Sequence, residues 1–233
     1  MPAEAGARGY PCPRMPKKLK HTRRHRENNT VPGCHYALVA RPVGRAEVLA
    51  KPAALLAMNH EWNRLRNKTV WDEDYPRDWY EVRREARDQG FDVHLGHLAG
   101  ICVEKNSEME IEHRKYKGRV VFLGNSVVDQ FHDEATFRDM GSTPATLEAA
   151  KAADFYGCFP GHVIETANGE QAYVQAEMKG TPTWICLPPE QRPEWWRKKY
   201  PHMKKPVCRL LKALYGHPDA GTYWEEHCHK HII

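Results

Sequence analysis

The 233-residue sequence has no long apolar run, and no stretch approaches the roughly 18 apolar residues that a membrane-spanning helix needs. The pattern of a secretory signal peptide is also missing, because the charged N-terminal stretch is not followed by an apolar run. We therefore expect no membrane partner and an intracellular location, either cytoplasmic or nuclear. The length is sufficient for one or two domains with a hydrophobic core.

No C-x-x-C pair occurs either, although the sequence has seven cysteines. They are scattered along the chain and odd in number, at Cys12, Cys34, Cys102, Cys158, Cys186, Cys208 and Cys228. This spacing argues against a disulfide framework and against a structural zinc site. We expect most of these cysteines to be reduced and buried as small apolar side chains.

Positive charge is concentrated at the N-terminus and is otherwise balanced. The formal net charge is +5, from 35 Lys and Arg against 30 Asp and Glu. Residues 1–30 hold eight of the basic and two of the acidic residues, which leaves 27 basic against 28 acidic residues in 31–233. Since this basic tail has little to bury, we predict that residues 1–32 are disordered. The basic cluster at 17–26 fits loose nucleic-acid binding, a nuclear address or a solvated linker.

From Pro52 onward, the spacing of apolar residues predicts helices and short strands. Leu55, Met58, Trp62 and Leu65 recur at three- and four-residue steps and predict a helix that begins after Pro52. Further helices are predicted at 76–89 with Gly90 as its stop, at 143–155 with Thr143 as its N-cap, at 170–176 and at 219–231. Strands are predicted at 98–103, 119–123, 163–167, 184–187 and 207–211, and a surface loop at 188–206. This succession is typical of an α+β fold.

Four short segments carry the most specific pattern in the sequence. They are AMNHEW at 57–62 with Leu65, Asn67, Thr69 and Trp71; YKGRVV at 116–121; AYVQ at 172–175; and VCRLLKALYG at 207–216 with Asp219, Ala220, Gly221 and Trp224. In this order and spacing they resemble the reverse transcriptase domain of copia-type retrotransposons. The resemblance covers about residues 52–233, and the fourth segment is the most specific.

This resemblance implies the fingers and the first part of the palm of a right-hand polymerase, in a domain spanning 33–233. The resembled domain is an RNA-directed DNA polymerase, a nucleotidyltransferase within a retrotransposon Pol polyprotein. Its partners would be nucleotides and an RNA or DNA template-primer, and its cofactor would be Mg²⁺.

The resemblance also implies a nucleotide-binding role for four residues. Lys117 and Arg119 lie on the fingers strand, where basic side chains meet the incoming triphosphate. Tyr215 and Gly216 resemble the pocket under the nucleotide base, where glycine permits close backbone approach. The alternatives are that Lys117 and Arg119 are solvent-facing charges on one strand face, and that Tyr215 is a half-buried core aromatic.

The catalytic carboxylates of the family are missing from this sequence. Counting back four residues from Ala172 leads to Asn168, where the family has its first catalytic aspartate. Two Mg²⁺ ions need anionic oxygen ligands, and an amide oxygen brings no negative charge. Glu165 lies three residues before Asn168 and Glu170 two residues after it. On a strand that continues into a turn, neither side chain would point in the same direction as that of Asn168. The sequence thus argues against Mg²⁺ binding, and we assign no metal ligands.

The Y-x-D-D hairpin of the family also has no counterpart, and Asp219 is the only aspartate after Asn168. We therefore expect a truncated domain that does not polymerise as it stands. We also expect that Asn168→Asp alone does not restore polymerisation.

Two further segments leave alternatives open. His227 and His231, four residues apart on a helix, could share a metal ion or could lie in solvent at a frayed helix end. Trp195 and Trp196, beside three basic residues, could stack bases or could anchor a surface loop on the core, and we favour the anchor.

Three hypotheses about function follow. The first is an enzyme-derived module, the N-terminal part of a reverse transcriptase that has lost activity. The second is a binding protein in which the fingers and the basic tail hold RNA or DNA without chemistry. The third is a fragment with no selected role that does not fold stably.

Overall fold

A computed structural model describes residues 39–137, 145–165 and 168–232. These residues form one six-stranded sheet and six α-helices, a mixed arrangement compatible with the predicted α+β class. The strands are β1 (Ala40–Val43), β2 (Arg77–Asp78), β3 (His94–Lys105), β4 (Lys115–Phe122), β5 (Thr183–Cys186) and β6 (Pro206–Arg209). The helices are α1 (Arg45–Ala50), α2 (Pro52–Asn67), α3 (Trp79–Gln89), α4 (Leu147–Gly157), α5 (Glu194–Lys199) and α6 (Ala220–Ile232).

Strand β3 is the centre of the sheet and pairs differently along its two halves. Its first residues, from His94 to His97, pair in parallel with β5. From Leu98 onward it pairs antiparallel with β4, and near its end it pairs antiparallel with β1 on its other side. The order is β1-β3-β5-β6-β2, with β4 beside β3. One long strand therefore joins a three-stranded antiparallel part to a mixed four-stranded part.

Helix α2 forms where the apolar spacing predicts it, with Pro52 in its first turn. Met58, Trp62 and Leu65 are buried, as the predicted apolar face requires. Leu55 was predicted to lie on the same buried face, and this is wrong because its side chain is 37% exposed. The helix lies directly on β4 at Gly118, where an added Cβ would come within 2.7 Å of the carbonyl oxygen of Ala57. A glycine in the strand thus lets the helix backbone approach the sheet.

Helix α3 also forms, with a later start than predicted. The predicted first residues pair with β6 as the two-residue strand β2 instead. Asp78 caps the helix, because its side chain accepts a hydrogen bond from the backbone N–H of Tyr80 at 2.9 Å. Gly90, at φ +69°, ends the helix as predicted, since this left-handed conformation favours glycine.

Two predicted elements in the middle of the chain are wrong. Residues 163–165 form no strand and pair with no strand in the described ranges, and Val163 is 80% exposed. The other two residues of that predicted strand, 166 and 167, lie outside the described residues. The predicted helix at 170–176 is reduced to a single 3-10 turn, Tyr173–Gln175. An isolated apolar run does not form a strand without a neighbour to take its backbone hydrogen bonds.

Two further boundaries differ from the prediction. Helix α4 begins at Leu147 and is capped by Thr146, whose hydroxyl accepts a hydrogen bond from the N–H of Ala149 at 3.1 Å. The predicted cap Thr143 and the tail at 1–32 lie outside the described residues. The segment 188–206, predicted as a loop, contains helix α5. A short helix flanked by prolines has the amino-acid composition of a loop, so its sequence did not indicate a helix.

The main hydrophobic core lies between α2 and the sheet. Trp62 and Trp71 meet edge-to-face with ring centroids 5.8 Å apart, and Phe122, Ile185 and Leu210 are buried beside them. Of the described cysteines, three are buried as expected and contribute to the core, namely Cys102, Cys186 and Cys208, whereas Cys158 is exposed.

None of the helices in the described ranges is both long enough and apolar enough to cross a bilayer.

Candidate functional site

A cavity of about 430 Å³ lies where α2 passes over β4. Lys117 and Arg119 line it from the strand, and Glu61 and Arg64 line it from the helix. Tyr215 completes the lining, although it is nearly a hundred residues away in the sequence. The structure therefore brings together three of the four residues that the sequence suggests for nucleotide binding. We refer to this site as the α2–β4 cavity.

The α2–β4 cavity has an excess of positive charge. Lys117 and Arg119 are exposed at alternate positions of β4, and Arg64 joins them from the helix. The guanidinium of Arg64 lies 3.3 Å from the carboxylate of Glu61, which offsets one of these charges. Partial burial lowers the pKa of Lys117, and repulsion from Lys105 and Arg119 lowers it further. An anion bound between these side chains would relieve that repulsion.

Tyr215 is tied to the end of β4 through its backbone. Its carbonyl oxygen accepts a hydrogen bond from the N–H of Phe122 at 2.7 Å. Its side chain is 39% exposed, and its ring meets the ring of Tyr173 edge-to-face at 4.7 Å. The tyrosine is thus held on both sides while one part of its ring stays open to the cavity.

Gly216 has a different environment from Tyr215. Its φ is +90°, and an added Cβ would come within 2.1 Å of the carbonyl oxygen of Phe122. The glycine therefore lets the chain turn closely against the end of β4, and it does not line the α2–β4 cavity.

Asn168 is exposed, and two later residues of its segment contact side chains that line the α2–β4 cavity. Within that segment, a carboxylate oxygen of Glu170 is 4.0 Å from the guanidinium of Arg64, and Tyr173 contacts Tyr215. Asn168, at the position expected for a catalytic aspartate, is therefore linked to the cavity only indirectly, through the contacts of Glu170 and Tyr173. Glu170 supplies a carboxylate two residues after Asn168, and that carboxylate faces an arginine.

The potential metal ligands of the described residues do not converge near Asn168. Their only group of three or more is Glu110, Glu112 and His113, which are all exposed in the turn between β3 and β4. Exposed acidic groups of this kind are common without an ion, so this cluster carries no functional assignment.

The two C-terminal histidines lie close together on α6. The rings of His227 and His231 are 4.3 Å apart, and one ring nitrogen of His231 lies 2.7 Å from the carbonyl oxygen of His227. In the described part of the chain they have no third ligand within reach, so the pair does not form a metal site there.

A second cavity, of about 470 Å³, contains two buried histidines that the sequence did not single out. His94 and Thr183 are paired residues on β3 and β5, and His217 lies above them. The backbone N–H of Asp219 donates to Nδ1 of His217 at 3.2 Å, which leaves the hydrogen on Nε2, 3.5 Å from the hydroxyl of Thr183. Burial lowers the pKa of His217 to about 4, and repulsion from His94 adds to this. His217 is therefore neutral at pH 7.

Arg64 also lines the α2–β4 cavity, and no sequence motif points to it. It lies three residues after Glu61 on α2, so its helical position was readable, but nothing local indicates that this face meets β4. His94 and His217 could not be identified as cavity residues from the sequence, because a single histidine in a strand or a loop belongs to no recognisable motif.

No protein-family model, curated protein or solved structure matches this chain with statistical significance.

Proposed function

We propose that this chain corresponds to the fingers and the first part of the palm of a copia-type reverse transcriptase. In this proposal the α2–β4 cavity binds the phosphate groups of a nucleotide or of an RNA or DNA template-primer. The chain binds these ligands without polymerising them.

One observation supports the proposal: the first, second and fourth motif segments line one cavity, and the third contacts a residue of that lining. The first contributes Glu61 on α2, and the second contributes Lys117 and Arg119 on β4. The fourth contributes Tyr215, and the third reaches it through Tyr173.

The chemistry of the cavity suits phosphate. The planar guanidinium of Arg119 can donate two parallel hydrogen bonds to phosphate oxygens, and Lys117 adds a compact positive charge. The half-exposed ring of Tyr215 offers an apolar surface against which a base can lie. These are binding functions, and none of the three side chains needs to transfer a proton.

The residues around Asn168 do not fit the two Mg²⁺ ions that the family uses. Two closely spaced divalent ions need anionic oxygen ligands that converge on them. Asn168 is neutral, and Glu170 lies 4.0 Å from Arg64, whose charge competes with any cation. We therefore assign no catalytic step to this chain, and this favours a nucleic-acid-binding module derived from the polymerase.

Substitution of Arg119 tests the binding proposal. We expect Arg119→Ala to weaken binding of a fluorescent deoxynucleoside triphosphate by roughly tenfold or more, because a charged hydrogen-bond pair is lost. Arg83→Ala is the matched control, since Arg83 is on α3 and does not line the cavity. Circular dichroism should show that both variants keep the wild-type fold. Equal binding by wild type and Arg119→Ala would exclude the cavity as the phosphate site.

Primer extension tests the absence of chemistry. We expect neither the wild-type chain nor Asn168→Asp to extend a primer on an RNA template with Mg²⁺, because one added carboxylate does not complete the ligand set. Template-dependent incorporation by the wild-type chain would contradict this part of the proposal and leave the binding site in place.

A further inference from the structure

Helix α5 holds its two adjacent tryptophans in opposite environments. Trp196 is 3% exposed, and its indole N–H donates to the carbonyl oxygen of Glu73 at 2.9 Å. The anchoring role expected for this pair is therefore confirmed for Trp196. Trp195 points outward and is 37% exposed, so anchoring does not account for it.

Trp195 belongs to a small aromatic group on the surface. Its ring lies 6.1 Å from the ring of Tyr200, and the ammonium of Lys199 is 5.7 Å from the Trp195 ring and 5.3 Å from the Tyr200 ring. Aromatic rings beside a cation offer both a stacking surface and a charge for a neighbouring phosphate.

The charges around this aromatic group are not neutralised. Residues 192–205 contain six basic residues and one acidic residue, Glu194. Arg197, Lys198 and Lys199 are exposed, and in the described part of the chain none of them has a carboxylate within salt-bridge distance. Beside them runs a groove of about 590 Å³, lined by Arg197, Lys198, Lys204 and Tyr200 together with Glu190 and Glu194, and Trp195 and Lys199 lie outside its lining. Cations without a carboxylate partner are available to an external polyanion.

This surface is held in place by the core. Asp78 accepts hydrogen bonds from the backbone N–H groups of Lys204 at 2.5 Å and Lys205 at 3.3 Å. At the other end, the guanidinium of Arg192 donates to the carbonyl oxygen of Leu187 at 3.0 Å. Fixed ends reduce the entropy that the segment would lose on binding a ligand.

We propose that this surface, formed by Trp195, Arg197, Lys198, Lys199 and Tyr200, binds single-stranded nucleic acid. Bases stack on Trp195 and Tyr200, and the phosphates follow the basic side chains along the groove. The α5 surface and the α2–β4 cavity share no lining residue, so this inference does not rest on the proposed function.

The exposed groups favour a single strand over an anionic membrane. Every base offers a flat face for stacking, and its phosphate follows at a distance that the adjacent lysines can reach. A peripheral membrane site needs a broader apolar face to enter the lipid, whereas Trp195 is the only large apolar side chain exposed on α5.

Fluorescence anisotropy with a labelled oligothymidylate and the full chain tests the stacking role. We expect Trp195→Ala to weaken binding about tenfold and Trp195→Phe to retain most of the affinity, because phenylalanine keeps a ring. Tyr80→Ala is the matched control, since Tyr80 is 52% exposed and lies beside Arg83 in a similar ring–cation pair on α3.

The salt dependence separates the α5 surface from the basic N-terminal tail. The double variant Lys198→Gln, Lys199→Gln should reduce the slope of log K against log salt concentration by about 1.4, at roughly 0.7 per phosphate contact in a single strand. Trp195→Ala should leave the slope unchanged, because tryptophan carries no charge.

Two outcomes would overturn the inference. One is an affinity for the oligonucleotide that neither Trp195→Ala nor the double variant changes, which would assign the binding elsewhere in the chain. The other is loss of binding to phosphatidylserine vesicles in Trp195→Ala with unchanged oligonucleotide binding. Nucleotide binding by the α2–β4 cavity is measured separately with Arg119→Ala. A negative result for one proposed site therefore leaves the proposal for the other site standing.

Discussion

At the scale of single residues, Gly216 holds a backbone conformation that a side chain would disrupt. Its φ of +90° is unfavourable for other residues, and the carbonyl oxygen of Phe122 occupies the place of a Cβ. We expect Gly216→Ala to lower the free energy of unfolding by at least about 2 kcal/mol. Gly44→Ala is the control, because nothing lies within 4 Å of its Cβ position. Urea denaturation measures both, and equal losses would show that the close approach at Gly216 is unimportant.

His217 should make the stability of the protein depend on pH. Its pKa is lowered to about 4 in the folded state, against about 6.5 in an unfolded chain. Between these values the unfolded state binds the proton first, so stability is complete above about pH 6.5 and is lost as the pH falls towards 4. The largest loss from this residue is about 3 kcal/mol.

The comparison of wild type with His217→Asn isolates this contribution. Asparagine can still accept the hydrogen bond from the N–H of Asp219, but it does not titrate. We expect urea midpoints to fall less in the variant than in the wild type between neutral and about pH 5. Identical pH profiles would show that His217 is not the group responsible. Burial also lowers the pKa of His94, and this second contribution should remain in the variant.

At the scale of elements, two of the described helices have a cap with an acceptor side chain, and these caps should differ in importance. Asp78 caps α3 and also holds the backbone N–H groups of Lys204 and Lys205. Thr146 caps α4, whose residues have no buried member. We expect Asp78→Ala to lower the global free energy of unfolding by about 2–3 kcal/mol, since α3 loses its cap and two partly buried backbone N–H groups lose their acceptor.

Thr146→Ala provides the comparison, with a global effect below about 1 kcal/mol, because α4 contributes no buried side chain to the core. Denaturant unfolding followed by tryptophan fluorescence would measure the core in both variants. A larger loss for Thr146→Ala than for Asp78→Ala would contradict this order.

Elements with a local signal could be predicted from the sequence, and those that depend on partners could not. The apolar spacing predicted α2, and Gly90 predicted the end of α3. The short apolar run from Val163 predicts a strand, yet within the described ranges residues 163–165 have no strand beside them. Helix α5 was missed because prolines and charges surround it. Strand formation requires a partner, and partners are not visible in a local window.

At the scale of the whole molecule, the candidate site shows the same limit. The family resemblance suggested Lys117, Arg119 and Tyr215, and the structure brings them together. Arg64 could not be predicted as their neighbour, because its position depends on α2 crossing β4 at Gly118. Contacts between segments so far apart in the sequence are set by packing of the whole chain and leave no local pattern.

Strand β4 also bears on how the protein behaves at high concentration. Within the described ranges it pairs only with β3, so its outer side has backbone N–H and C=O groups without a strand partner. Such an edge can recruit the same strand of another molecule and start aggregation. Lys115, Lys117 and Arg119 alternate along it, and two identical basic edges repel each other. Two of these charges, Lys117 and Arg119, are the ones that we propose bind phosphate, and they also oppose self-association; this protection weakens as salt screens them.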